Sequence, residues 1–220
     1  MRISRLTTTR RVENEEQRQK ALAVLKATYQ EEKAWVLDAE SVFPEADLSD
    51  AKISWFLATA RGKPVGVLRV VYDPPIEQYI AYAPKPIDFA SDINIADFVR
   101  NERIAEIGRF AVVPERRNGV GVVLSLMRAA TREVVAREYS QLITDVFEND
   151  PHSPFGFHTR IVGFRPVATH EIGELRYKGK RITLVLDIKV AYQCFRARGH
   201  WFFRTMTRGW TEAMHKRLAT

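Results

Sequence analysis

The sequence predicts a mixed α/β fold: a central mixed sheet flanked by helices, with a basic amphipathic helical extension at the C-terminal end. Three observations lead there. Strand-like and helix-like segments follow one another over residues 2–188 in the order strand, helix, two strands, strand, helix, strand, helix, hairpin. A glycine-bearing turn, Arg116–Gly121, joins a β-branched strand to a strongly helical stretch. The charge is also unevenly placed. The 220 residues carry 34 Lys and Arg against 27 Asp and Glu, a net of +7, and +6 of that falls within residues 189–220. A basicity so local implies a partner for that segment rather than a generally cationic surface. We therefore expect one domain over 1–188 and an extension over 189–220 packed on it.

Each element has its own signal. Residues 2–12 read as a polar, Thr-rich first strand. Asn14 is placed to cap a helix, with Gln17 in the return position, and Ala21, Leu22, Leu25 and Tyr29 form its apolar stripe. The helix fades near Lys33. An acidic loop, Trp35 to Asp50, precedes strands Ser54–Ala60 and Val65–Asp73, which meet at the turn Arg61-Gly62-Lys63-Pro64. Residues 74–103 look irregular, with a short helix at Ile95–Arg100. Ile104–Val113 is the central strand and Gly119–Tyr139 a long helix, with Val123, Leu126, Met127, Ala130 and Val134 on its apolar side. Gln141–Phe147 is a buried strand. Pro154–Val162 is a short helix stopped by Gly163. Strands near Glu171–Tyr177 and Arg181–Asp187 are expected to pair across Lys178-Gly179-Lys180.

Composition excludes several classes. A content of 45% hydrophobic and 28% charged residues fits a folded chain and not a disordered one. The single cysteine, Cys194, leaves no internal disulfide to form and fits a reducing compartment; it is expected to be a buried small apolar residue. The start, MRISRLTTTRR, lacks the apolar core of a secretion signal, and no apolar run is long enough to span a bilayer. A cytoplasmic location is expected. His152 and His158 lack the spacing and companions of a metal site, so no metal is expected.

The chemistry concentrates between Ala105 and Arg137. Small residues at Gly119 and Gly121 let backbone N–H groups approach a ligand closely, at the positive end of a helix. The N–H groups of Asn118 to Val122 could hold a phosphate, with Arg116 adding a fixed charge. The plainer reading is that the two glycines only form a tight turn. Arg116-x-x-Gly119-x-Gly121, after a strand ending Val112-Val113-Pro114, resembles the pyrophosphate-binding motif of the GNAT acyltransferase superfamily. The run Val162-Gly163-Phe164-Arg165-Pro166-Val167 resembles that superfamily's closing motif, and the order of elements over 2–188 is the GNAT order. The resemblance implies the GNAT fold and a phosphopantetheine thioester as co-substrate, with no permanently bound cofactor. It places the donor arm on Phe110, Ala111, Val112, Arg116, Asn118, Gly119, Val120 and Gly121. The edge of the central strand would pair with the arm's amides, and a strand N–H would support the oxyanion.

Within the strand, Glu106-Ile107-Gly108-Arg109-Phe110 resembles the Glu-x-x-Arg-Phe signature of acyl-homoserine lactone synthases and long-chain N-acyl amino acid synthases. Trp35, the pair Asp47 and Asp50, and Arg69 follow that pattern's order. The resemblance implies catalytic roles for Glu106 and Arg109 and an acceptor site at Trp35, Asp47, Asp50 and Arg69. Glu106 is read either as the general base or as one half of a structural ion pair with Arg109 or Arg69. On a regular strand residues three apart face opposite ways, so a pair with Arg109 requires a bulge, placed by sequence at Gly108. Arg69 or Arg109 could grip a carboxylate bidentately. The tyrosine that often protonates the leaving thiolate in acetyltransferases is here Thr159, which leaves His158, water, or no acid at all.

In the extension, Tyr192, Phe195, Gly199, Phe202, Met206, Trp210 and Met214 form a stripe at steps of three and four, which predicts one helix over 189–217. Arg196, Arg204 and Arg208 fall off the stripe and are expected to contact an acidic acyl-carrier protein, with transient contact to a membrane surface as the other outlet for the charge. No recognised nucleic-acid motif accompanies the charge, so nucleic acid is not expected. The functions in play are transfer of a long acyl chain from acyl-carrier protein to an amino acid, tyrosine by resemblance; acetyl-CoA-dependent N-acetylation; ornithine-lipid acylation; and binding of an anionic partner on an inactive scaffold. The long irregular 74–103 segment and the complete glycine cradle argue against an acyl-homoserine lactone synthase proper.

Overall fold

The computed structural model describes residues 7–76, 88–91, 94–171, 175–177 and 179–220. The expectations for residues 2–6, for much of 74–103 and for 172–174 and Lys178 lie outside those residues. The chain divides into two compact units. The first takes Met1–Val71, Ile107–Val134 and Arg204–Gly209; the second takes Tyr72–Glu106, Val135–Phe203 and Trp210–Thr220.

In the first unit the strand order is β1 (Thr7–Arg11), β2 (Ile53–Ala60), β3 (Lys63–Tyr72) and then β5 (Ile104–Val112), whose far end lies here. The β2–β3 turn is two residues long, with Arg61 at φ +52° and Gly62 at +78°. Two left-handed residues give a turn whose twist matches the strands it joins. Helix α1 (Glu15–Leu25) starts as the sequence predicts: Asn14 accepts the Gln17 N–H at 3.0 Å. The return bond from Gln17 goes to the Glu13 N–H, one residue earlier than a capping box requires. Helix α3 (Gly121–Ala136) buries Leu124, Leu126, Met127 and Ala130. Gly66 of β3 sits directly against it. A Cβ there would lie 2.8 Å from Val122 Cγ1 and 3.1 Å from the Ala111 carbonyl oxygen, so only glycine permits this approach.

In the second unit the order is β5, β6 (Gln141–Phe147), β8 (Arg181–Asp187), β7 (Arg165–His170) and β4 (Asp88–Phe89). β5 and β6 pair in parallel over three positions, ending at Glu106↔Ile143; the other pairs are antiparallel. Helix α2 (Ile95–Asn101) is capped by Asn94. The short helix α4 (Phe155–Phe157) runs into a π turn, His158–Val162, that Gly163 stops at φ +91°.

Two elements differ from expectation. The strand that pairs with β8 is Arg165–His170, entered directly after Gly163; of the strand expected at 171–177, the described residues Glu171 and 175–177 are not in a strand. Pro166 is tolerated there at a register shift between Pro166 and Ala168. The single C-terminal helix is three: α5 (Ile188–Ala197), α6 (Trp201–Met206) and α7 (Glu212–Ala219). Left-handed Gly199 (φ +58°) and Gly209 (φ +86°) separate them. The stripe survived because each short helix buries its own share of it: Tyr192, Phe202, Met206 and Met214. Cys194 is half-buried rather than enclosed. No helix among the described residues is long and apolar enough to cross a membrane.

Candidate active site

The turn after β5 is open. Arg116, Asn118, Gly119 and Val120 are exposed, and a cavity of about 410 Å³ lies over them. Arg116, Asn118, Gly119 and Gly121 line it, together with Arg61 and Thr7 from the sheet. The glycines are informative. Neither Gly119 nor Gly121 has a left-handed φ, and a Cβ on either would meet nothing within 4 Å. Neither the turn's conformation nor the chain's own packing therefore demands glycine. The space over both is open. The first intrahelical bond runs from Leu124 N–H to the Val120 carbonyl, so the N–H groups of the preceding turn have no helical acceptor. Thr7, Ala60, Arg61 and Glu115 also line this cavity and were not singled out by sequence; Thr7 and Ala60 are partners in the β1–β2 pairing, distant in the chain.

β5 carries its own irregularity. Arg109 is left-handed, φ +49°, inside an otherwise extended strand. The irregular residue is Arg109 rather than Gly108, and its bulky side chain makes the conformation costly, of order 1–3 kcal/mol. It breaks the alternation, so Glu106 and Arg109 are not constrained to opposite faces. Glu106, Arg109 and Phe110 are half-buried, whereas Ala111 and Val112 are buried, so the latter two can offer only their backbone.

The acceptor residues partly converge. Arg69 pairs in register with Trp55 on β2. The Trp55 indole N–H donates to Asp47 at 2.8 Å. Burial raises the Asp47 pKa, opposed by the Trp55 hydrogen bond and the Arg69 charge; Asp50 raises it further. Asp47, Asp50 and Arg69 therefore share one electrostatic neighbourhood around Trp55, a residue the sequence did not mark. Asp50 itself is exposed and accepts the Lys52 N–H. Trp35 belongs to a different contact set: its ring meets Tyr29 edge-on at 5.2 Å and Lys33 lies over it.

A seven-residue π turn, Lys26–Glu32, continues α1. From it the Tyr29 hydroxyl donates to the Phe110 carbonyl at 3.4 Å. Glu32 accepts both terminal nitrogens of Arg117 at 2.5 Å. No periodicity in the sequence marks Glu32 as a partner of a residue 85 positions away.

His158 is 2% exposed in the second unit. Burial pulls its pKa down to about 4, so at neutral pH it holds no spare proton. Of the three routes for the thiolate's proton, burial works against His158 and leaves water or no acid. Arg196, Arg204 and Arg208 are exposed, as expected, but Arg196 lies in the second unit and the other two in the first. Arg208 lies near Arg128, whose own pKa is lowered by burial and by that like charge. Among the described residues no group of three or more His, Cys, Asp and Glu is placed to hold a metal ion.

No family model and no curated protein matches the sequence. Solved structures do match its fold. FeeM, an N-acyl amino acid synthase from uncultured soil microbes, superposes with a TM-score of 0.64 at 15% identity, covering 88% of this chain and 96% of FeeM. The ribosomal-protein-alanine N-acetyltransferase of Brucella melitensis gives 0.57 at 17% identity, covering 82% and 99%. Apo FdhC, a nucleotide-linked sugar GNAT, gives 0.53 at 13% identity, covering 87% and 93%. At such identities the likeness is one of fold, and it spans nearly the whole of each of those chains.

Proposed function

We propose that this protein, whose fold is the GNAT fold, is an N-acyltransferase. It moves a long-chain acyl group from the phosphopantetheine thioester of acyl-carrier protein to the amine of an amino acid, with tyrosine as the first acceptor to test. One observation carries the reading. The two glycines after β5 leave open space that neither backbone nor packing requires, beside Arg116 and the start of a helix. That arrangement suits a phosphate with a narrow arm attached. The FeeM likeness and the Glu106-x-x-Arg109-Phe110 run support the choice of a long-chain N-acyl amino acid synthase over other acyl transferases.

The roles follow from the chemistry. The donor phosphate sits on the Asn118–Gly121 turn with Arg116, and its amide arm pairs along Phe110–Val112. The amine nitrogen attacks the thioester carbonyl carbon. Glu106 accepts the amine's proton, directly or through water. A strand N–H stabilises the oxyanion until the carbon–sulfur bond breaks. Water protonates the thiolate, since burial disfavours the imidazolium form of His158 that would serve as the acid. Arg69 and Arg109 are assigned to the acceptor carboxylate, with Asp47 and Asp50 in the electrostatic neighbourhood of Arg69. Exposed Arg196, Arg204 and Arg208 offer cations to an acidic carrier protein.

Lipid mass spectrometry of cells making the protein tests this. New N-acyl amino acids are expected with the wild type and none with Glu106→Gln. Their absence from cells holding soluble, folded wild-type protein ends the proposal. The fold likeness to an N-acetyltransferase favours acetyl-CoA as the alternative donor. Comparing turnover with acetyl-CoA, long-chain acyl-CoA and acyl-carrier protein decides between them.

A further inference from the structure

The cradle turn contains two adjacent arginines, and the structure gives them opposite tasks. Arg116 lines the cavity. Arg117 does not; its side chain folds back, with Nε donating to the Val112 carbonyl at 2.8 Å and both terminal nitrogens to the Glu32 carboxylate at 2.5 Å. We propose that Glu32 and Arg117 form a positioning pair, a strut from the π turn that holds the donor cradle and the end of β5 in binding geometry. The inference rests on the proposed donor site and adds residues that bind no substrate themselves.

Three features support a strut rather than an incidental surface pair. The contact is bidentate, the geometry in which a guanidinium and a carboxylate fix each other's orientation as well as their distance. Its side chains are only 22% and 27% exposed, so water screens it less than an exposed pair. Arg117 is also tied to the strand through a third bond, which locks the turn to the strand's last carbonyls. The widened π turn supplies the geometry. It extends α1 by the residues needed to bring Glu32 to Arg117 while Tyr29 reaches Phe110 two residues up the same strand. A flexible glycine turn gains most from such bracing, because every residue it need not order on binding is affinity kept.

The test uses the full chain with coenzyme A and acyl-carrier protein as donor probes. Hydrogen exchange is read over residues 114–121 of the free protein, and donor binding and kinetics are measured beside it. Glu32→Ala should speed exchange in that turn and raise the donor Kd and KM roughly tenfold, equivalent to about 1.4 kcal/mol. The kcat at saturating donor should stay within about twofold, since positioning is lost and no reacting group is. Glu32→Gln, which keeps shape and hydrogen bonding, should recover part of the affinity. Arg116→Ala should weaken donor binding without changing exchange. Unchanged exchange and affinity in Glu32→Ala overturn the inference, as does faster exchange with unchanged affinity. A wild type that binds neither donor instead overturns the donor reading on which it rests.

Discussion

Each unit contains a widened helical turn. Lys26–Glu32 in the first and His158–Val162 in the second both depart from the α-helix by one extra residue per turn. The first sends polar groups to the end of β5 and the turn after it, Tyr29 to the Phe110 carbonyl and Glu32 to Arg117. The second turns a polar ring inward. His158 packs edge-on against Phe157 at 5.8 Å and Phe164 at 5.0 Å, and its Nδ1 is buried with no hydrogen bond among the described residues. One backbone device thus serves two ends: in one place it delivers charge to a loop that must hold its shape, in the other it removes a charge that cannot be solvated.

The largest effect that could break this comparison is pH. A buried imidazole with a pKa near 4, against 6.5 when unfolded, takes up its proton more readily in the unfolded state. The stability it confers is complete above pH about 6.5 and declines as pH falls towards 4, by about 3 kcal/mol in all. Urea unfolding at pH 7, 6 and 5 should show this slope in the wild type and a flatter one in His158→Phe. The difference in slope is the readout, so a general loss of stability in the variant does not confuse it. Identical slopes would mean that His158 is charged and paired in the folded protein, and the contrast between the turns would collapse.

A second test separates glycines that pack from glycines that wait for a ligand. Gly66→Ala puts a methyl 2.8 Å from Val122 Cγ1 and 3.1 Å from a backbone oxygen, and should cost about 2 kcal/mol, the range for overpacking a close-packed interface. Gly119→Ala meets nothing and should change stability by less than about 0.5 kcal/mol, while weakening donor binding. Thermal unfolding with a donor-binding assay on both variants checks the pair. If Gly119→Ala unfolds early yet binds donor normally, its glycine serves the turn and not a ligand.

What the sequence revealed and what it hid divide along the range of the interactions. β6 and β8 begin and end where their apolar patterns do, and Asn14 caps α1 because a cap is a local matter. The place of the Arg116–Gly121 turn between β5 and α3 could be read because its turn residues lie within six positions. Arg109's left-handed φ could not, since a non-glycine bulge has no compositional mark. Nor could the Glu32–Arg117 pair or the gathering of Asp47, Asp50 and Arg69 around Trp55, which depend on strand register and on contacts between residues far apart in the chain. The C-terminal stripe misled for a physical reason. A period of three and four continues smoothly across a glycine, but the left-handed backbone at Gly199 and Gly209 turns the chain.

The smallest predicted effect tests how far the first π turn reaches into the chemistry. The Tyr29 hydroxyl meets the Phe110 carbonyl at 3.4 Å, long for such a bond, while its ring is buried and rests against Trp35. Tyr29→Phe keeps the ring and removes only the hydroxyl. A neutral hydrogen bond at that length should contribute about 0.5 kcal/mol to stability. If Tyr29 only steadies the strand, donor kcat/KM should fall less than about threefold, which is that same energy read kinetically. A fall of tenfold or more with unchanged stability would give the hydroxyl a part in the reaction, since packing and bracing alone supply no such energy from so long a bond. Measured beside Glu32→Ala, the variant then separates bracing of the turn after β5 from bracing of β5 itself.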